Sequence, residues 1–294
     1  MFNLQGIDRR TALKTGGGSA LAAVLASCVK ADGTVEDYTP KGDLKQSVCA
    51  WCYPKLSRVE LAKHGVKMGL KSVELLSAEE FLKIKPSGLT CAMLTPKGNS
   101  ITDGLNRKQN HARIEKSLHD GIDFAADQGI PNVICMSGNR RGMDDHEGMK
   151  NCAEGLKKVV GYAEEKKVTI CMEGLNSKVD HKDYMYDKTA WGVDLCKMVG
   201  SPRFKLLYDI YHMQIMEGDV IATVRKFKDF IGHYHTGGVP GRHEIDNTQE
   251  LNYPAICKAI LATGFTGYLA QEFIPAHDPM TSLAASVRIC DVTG

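Results

Sequence analysis

Short apolar runs alternate with longer stretches of helical periodicity along most of this chain. Ser47–Trp51 is strand-like, and Ser57–Met68 repeats apolar residues at helical spacing before stopping at Gly69. Ser72–Leu76 predicts a strand, Ala78–Lys83 a short helix stopped by Pro86, and Leu89–Leu94 a third strand. Arg107–Gln128 predicts a long amphipathic helix with Ile114, Leu118, Ile122 and Ala125 on one face. Asn132–Met136 follows as a strand, Gly148–Lys166 as a helix and Val168–Glu173 as the fifth strand. After a long loop come a helix over Lys188–Val199, a strand over Phe204–Asp209 and a helix over Asp219–Lys228. Ile231–His235, a helix over Pro254–Ala262, Gly267–Glu272 and a helix after Pro279 complete the pattern. Eight strand–helix repeats in about 250 residues match a single-domain α/β (β/α)8 TIM barrel over residues 47–294. No G-x-G-x-x-G follows the first strand, so a doubly wound dinucleotide-binding sheet lacks its mark.

Four of these strands end in chemistry. The runs closing at Glu173, Asp209, His235 and Glu272 each place a polar group at the carboxyl end of a buried strand, where parallel α/β proteins build their sites. Alternation puts Cys171 on the face of Glu173, Leu207 with Asp209, and Ala270 with Glu272. That face points into the barrel, where an unpaired charge is costly and a bound cation removes the cost. The four residues form a candidate ligand set for one divalent metal ion. Three carboxylates and an imidazole suit Mg²⁺, Mn²⁺ or Co²⁺ better than a thiolate-type zinc site. Two carboxylates across a substrate can take a proton from one carbon and return it to another. His233 shares the face of His235 one layer deeper and is read as structural, and Glu74 as a supporting residue.

The run Tyr208-Asp209-Ile210-Tyr211-His212-Met213-Gln214 with Met216-Glu217-Gly218 resembles the hydroxypyruvate isomerases, within the xylose isomerase-like barrel superfamily. The likeness continues through Ile231-Gly232-His233, Arg242-His243-Glu244, Glu250-Leu251-Asn252-Tyr253 and Glu272-Phe273-Ile274-Pro275, and is concentrated in residues 165–276. The resemblance implies that Glu173, Asp209, His235 and Glu272 bind the metal. It also implies that Glu173 and Glu272 are the catalytic acid/base pair and that His212 and Arg242 line the substrate site. The implied activity is isomerisation of a small hydroxy-carbonyl compound through an enediolate. His235 is the form typical of the ketose 3-epimerase branch, which keeps epimerisation of a keto-sugar as an alternative. A lyase or dehydratase of a keto-sugar or cyclitol would use the same chemistry, whereas a non-catalytic sugar-binding barrel would not need the acid pair.

The first 28 residues depart from the pattern. Asp8-Arg9-Arg10-Thr11-Ala12-Leu13-Lys14 precedes a Gly/Ala/Leu run too short to span a bilayer and closes on Leu25-Ala26-Ser27-Cys28. This resembles a twin-arginine signal ending in a lipobox. The expectation is export to the periplasm or cell surface, with membrane anchoring through lipidated Cys28; an uncleaved arm would leave the protein cytoplasmic. Residues 29–46 are polar and turn-rich and read as a flexible linker. Without residues 1–27, which carry Arg9, Arg10 and Lys14 against Asp8, the formal charge falls from +2 to zero. A neutral domain offers no footprint for a phosphate backbone, so a nucleic-acid partner is excluded in favour of a small-molecule substrate. A homo-oligomer stays open. Of the ten cysteines, those within strand-like runs read as small buried hydrophobes, and Cys49-Ala50-Trp51-Cys52 has no second C-x-x-C to complete a zinc ribbon.

Overall fold

A computed structural model describes residues 36–294. The signal segment expected over residues 1–28, and the first part of the linker, lie outside the described residues.

Among the described residues seven strands run parallel in one curled sheet: β1 (Lys45–Cys49), β2 (Ser72–Glu74), β3 (Asn132–Cys135), β4 (Thr169–Glu173), β5 (Phe204–Asp209), β6 (Ile231–Thr236) and β7 (Tyr268–Gln271). Their order is β2-β1-β7-β6-β5-β4-β3. The sheet closes through the segment expected as the third strand, which pairs with both of its edges. Thr90 and Leu94 bridge to Ser72 and Leu76, and Leu94 also bridges to Val133. Eight staves therefore make the barrel, but the eighth is held by isolated bridges and is no full strand. The physical reason is local. Ala92 N–H donates to Ser72 Oγ at 2.7 Å, and the Cys91 thiol donates to Met93 O at 3.2 Å, so side-chain bonds replace part of the ladder.

Among the described residues ten α-helices surround the sheet: α1 (Arg58–Lys67), α2 (Ala78–Ile84), α3 (His111–Gln128), α4 (Asp145–Lys157), α5 (Val160–Lys166), α6 (Thr189–Val199), α7 (Ile210–Met216), α8 (Val220–Phe227), α9 (Tyr253–Leu261) and α10 (Pro279–Ile289). Capping chemistry sets several starts. Ser57 with Glu60 and Ser77 with Glu80 form reciprocal capping boxes on α1 and α2. Asp144 accepts from His146 N and Glu147 N, so α4 begins before Gly148. The single helix expected over 148–166 breaks at Lys158–Val159, where bonds to Gly155 O and Leu156 O tighten the turn. Among the described residues no helix is long and apolar enough to cross a membrane.

Part of the expected linker is fastened down. Tyr38 N–H donates to Lys67 O, Tyr38 Oη–H donates to Asp291 Oδ2 at 2.5 Å, and Asp43 N–H donates to Val292 O. Lys45 and Gln46 already belong to β1. All nine described cysteines are free and buried, as their apolar surroundings predict.

Candidate active site

The site lies at the carboxyl ends of β4, β5, β6 and β7. Register brings the ends together: Glu173 pairs with Leu207 across β4–β5, Asp209 with His235 across β5–β6, and His235 with Ala270 across β6–β7. The ligand atoms of Glu173, Asp209, His235 and Glu272 all lie within 4.8 Å of one another, and all four residues are buried. His212 and Arg242 join them, so the structure brings together all six site residues read from the sequence. Asp209 has two tasks. Its Oδ1 accepts the His212 N–H at 3.0 Å, capping α7, and its Oδ2 faces Arg242 Nη2 at 3.4 Å. Arg242 Nη2 also donates to Glu272 Oε2 at 2.7 Å, while His235 Nδ1 lies 2.8 Å from that oxygen and 3.3 Å from Glu173 Oε1. Arg242 is held at φ +58, left-handed backbone that few side chains adopt.

Sequence reasoning missed one neighbour, Trp51. Trp51 Nε1–H donates to Glu272 Oε1 at 2.7 Å. Its ring stands 5.1 Å from the Arg242 guanidinium, with the Tyr211 ring 5.2 Å away as a second aromatic partner. The signal for Trp51 was its position at the end of the first strand-like run, overshadowed there by the flanking cysteines. Asn176 fixes the protonation of His212: its backbone N–H and its Nδ2–H both donate to His212 Nδ1, at 3.2 and 2.7 Å. The ring proton therefore sits on Nε2, which is buried and has no hydrogen-bond partner. Burial first, and the Arg242 charge second, hold His212 well below the usual histidine range, so it is neutral.

The carboxylates are not equivalent. Glu272 receives bonds from Trp51, His235 and Arg242; although burial opposes its charge, His235 and Arg242 hold it well below the usual range. Glu173 is raised by burial and then by the Glu272 charge, and its Oε1 has no hydrogen-bond partner. Burial likewise raises Asp209, partly offset by Arg242 and reinforced by Glu272 and Glu173. A buried oxygen without a partner, beside two more carboxylates and an imidazole, fits a hard or borderline divalent ion.

Glu173, Glu272, His212, Arg242 and Trp51 line a cavity of about 420 Å³, together with Leu75, Thr95, Asn99, Ile101, Ile134, Met136, Leu175 and His181. A groove of about 860 Å³ between α2 and α3 is larger and shares Leu75, Thr95 and Asn99 with this cavity. It contains none of the four clustered residues, so chemistry and not size identifies the site.

Comparison with known proteins agrees with this architecture. The family model described as xylose isomerase-like TIM barrel matches residues 61–290, and the chain belongs to that family. A human protein provisionally named a hydroxypyruvate isomerase is 26% identical over 251 residues, covering 80% of this chain and 91% of the relative. A 2-oxo-tetronate isomerase of Cupriavidus necator is 35% identical over 122 residues, 42% of this chain and 46% of its own length. Among solved structures, an AP endonuclease family 2 protein of Brucella melitensis superposes with a TM-score of 0.74 at 21% identity, covering 82% of this chain and 97% of that one. An L-ribulose 3-epimerase gives 0.70 at 20% identity, covering 83% and 92%.

Proposed function

We propose that this protein is a divalent-metal-dependent isomerase of a small hydroxy-carbonyl compound, working as the resemblance to hydroxypyruvate isomerases implies. The observation that carries the reading is the convergence of three carboxylates and one imidazole within 4.8 Å, two of which, Glu173 and Glu272, line one cavity. Relatives named for isomerisation of hydroxypyruvate and 2-oxo-tetronate support it. One Mg²⁺, Mn²⁺ or Co²⁺ held by Glu173, Asp209, His235 and Glu272 would stabilise negative charge developing on the substrate's oxygens.

The chain's own groups handle the proton. Glu173 has two carboxyl oxygens, one to hold the ion and the other to take the proton from the hydroxyl-bearing carbon, and the electron pair left behind forms the enediolate. Glu272, oriented by Trp51 and Arg242, stands at the end of β7, with β6 and β5 between it and Glu173, and completes the acid/base pair. Return of a proton to the adjacent carbon shifts the carbonyl; return to the original carbon from the opposite face inverts it. His212 Nε2–H is the available donor to a substrate oxygen.

The second outcome, ketose 3-epimerisation, has an observation of its own. Ile101, Ile134, Met136 and Leu175 give the cavity an apolar wall, and the Arg242 guanidinium is already engaged by Glu272 and Asp209. Such a wall suits the C–H face of a neutral sugar better than a second carboxylate. Incubation of the Mn²⁺-loaded protein in deuterium oxide with hydroxypyruvate, 2-oxo-tetronate and a panel of ketoses tests both readings. Label entering a carbon next to the carbonyl is expected, with carbonyl migration marking isomerase and inversion marking epimerase. No label in any of them would sink the catalytic reading.

Export by residues 1–28 with anchoring at Cys28 is a separate proposal, supported by the order of Arg9-Arg10, the apolar run and Leu25-Ala26-Ser27-Cys28. Cell fractionation tests it: Arg9→Lys/Arg10→Lys is expected to retain the protein in the cytoplasm, and a wild-type protein found there with Met1 intact would refute it.

A further inference from the structure

Beneath the four-residue cluster lies a second buried set of side chains that the proton transfer above does not use. Glu74 ends β2 and places one oxygen, Oε1, 2.7 Å from His233 Nε2 and 3.0 Å from His235 Nε2. Cys49 Sγ, at the end of β1, lies 3.8 Å from the same His235 nitrogen. Glu74, His233 and His235 are all fully buried. His235 therefore has two different edges. Its Nδ1 faces Glu272 Oε2 at 2.8 Å and Glu173 Oε1 at 3.3 Å, while its Nε2 faces Glu74.

A carboxylate accepts and has no proton to give. Both imidazole nitrogens on Glu74 Oε1 must then be donors, so His235 carries a proton on Nε2. By the same rule Nδ1, 2.8 Å from Glu272 Oε2, donates there while no ion is bound; an ion displaces that proton and not the Nε2 proton, which Glu74 holds, and the freed lone pair is then on Nδ1. We propose that Glu74, steadied by His233, is a positioning residue that selects the Nε2–H tautomer of His235 and so aims Nδ1 as the ligand atom. The inference rests on the reading of Glu173, Asp209, His235 and Glu272 as a metal site.

The topology favours such a brace. In the sheet β2 and β6 are separated by β1 and β7, so the Glu74–His235 bond crosses the barrel interior and is no ladder contact between neighbours. His233 sits two residues before His235 on the same strand face and shares the same oxygen, which holds that oxygen beneath the ring. Among the described residues Glu74 Oε2 has no hydrogen-bond partner, so both histidine contacts depend on Oε1. A competing use exists: Cys49, Glu74 and His235 are close enough to hold an ion among themselves, which would take Nε2 as the ligand atom instead.

Two measurements decide. In the full-length wild-type protein loaded with Zn²⁺, long-range ¹H–¹⁵N NMR is expected to show His235 protonated at Nε2 and unprotonated at Nδ1. A proton on Nδ1, or none on either nitrogen, overturns the proposal without any variant. Calorimetric titration with Mn²⁺ is expected to give one ion per chain, bound about 10–100-fold more weakly by Glu74→Leu. Glu74→Gln keeps a carbonyl oxygen that accepts from Nε2–H and is expected to retain most of the affinity. Equal loss in Gln and Leu would mean that Glu74 acts through charge alone, and two ions per chain would mean that it is a ligand; either result overturns the tautomer assignment. A wild-type protein that binds no Mn²⁺ would overturn the metal reading itself, a result separate from any difference between variants.

Discussion

Replacing Trp51 by Phe isolates one hydrogen bond in the site. The substitution removes the indole N–H that donates to Glu272 Oε1 at 2.7 Å and keeps an aromatic face for Arg242, whose guanidinium stands 5.1 Å from the ring. Hydrogen bonds to charged groups contribute about 1.5–3 kcal/mol. Trp51 is 39% exposed, so water can partly replace the donor and the lower end applies. About 1.5 kcal/mol corresponds to roughly tenfold in rate. The bond orients a residue proposed both to hold the ion and to move the proton, so the tenfold loss should show in kcat/KM, read as the rate of solvent deuterium entry into the substrate. Trp51→Ala loses the ring as well; a cation–π contact of about 0.5–1 kcal/mol adds a further two- to fivefold. Full activity and unchanged Mn²⁺ affinity in Trp51→Phe would refute the reasoning, since Glu272 would then be oriented without the indole.

The acid pair and the remaining ligands should separate in the same assays. Glu173→Gln and Glu272→Gln are expected to lower turnover by about 10²–10⁴-fold at saturating metal, because an amide cannot carry the proton; Asp209→Asn and His235→Ala should lower Mn²⁺ affinity first, measured by calorimetry. Glu244 supplies a pH-dependent stability test. Its Oε1 accepts from Ala276 N, His277 N and Ser282 Oγ, tying the Arg242 loop to the start of α10. Burial opposes its charge, but these bonds and its own backbone N–H lower its pKa below the ordinary 4.5. A depressed native value means that the stabilisation is full above about pH 4.5 and fades as pH falls through the native pKa. Glu244→Gln should therefore cost about 1–2 kcal/mol at pH 7, roughly 2–8 °C in melting temperature, with the gap to wild type shrinking under acid. A gap that stays constant down to pH 3 would remove the charge from the explanation.

The legible parts of this chain were those that local physics determines. Phe204–Asp209 is observed with the boundaries expected of it, because an apolar run without room for a helical turn ends at an acid that caps the next helix. The same acid hid something: α7, started by the Asp209 cap, was not read at all, since Ile210–Met216 is short and its periodicity is masked by the strand before it. Glu173, Asp209, His235 and Glu272 could be read because each ends its own run and the barrel supplies the convergence. Trp51 and the bond from Glu74 to His235 could not be read, because they join β1 to β7 and β2 to β6. Such pairings depend on how the staves curl and on which rotamers the interior leaves room for. The depth of His233 marks it as structural, and Glu74, 2.7 Å from its Nε2, is the partner that gives that role its content.

The two halves of the barrel divide the work. The four clustered residues come from β4 to β7, the half in which the sequence resemblance is concentrated. The cavity wall comes largely from the other half: Trp51 follows β1, Leu75 follows β2, Thr95, Asn99 and Ile101 follow the bridged third stave, and Ile134 and Met136 lie at the end of β3. Proton transfer next to a carbonyl asks for the same acids whatever the rest of the substrate looks like, so likeness in the second half speaks to chemistry. The length and polarity of the proposed substrate would be sensed by groups that touch its non-reacting atoms, and more of the cavity lining belongs to the first half than to the second. Apolar Leu75, Ile101, Ile134 and Met136 stand there beside the neutral side chains of Thr95 and Asn99, with no lysine or arginine among the first-half residues lining the cavity. A charged tail would leave water at that wall without a compensating partner, whereas an uncharged one gives up little. The substrate is therefore better inferred from the wall opposite the acids than from the acids themselves.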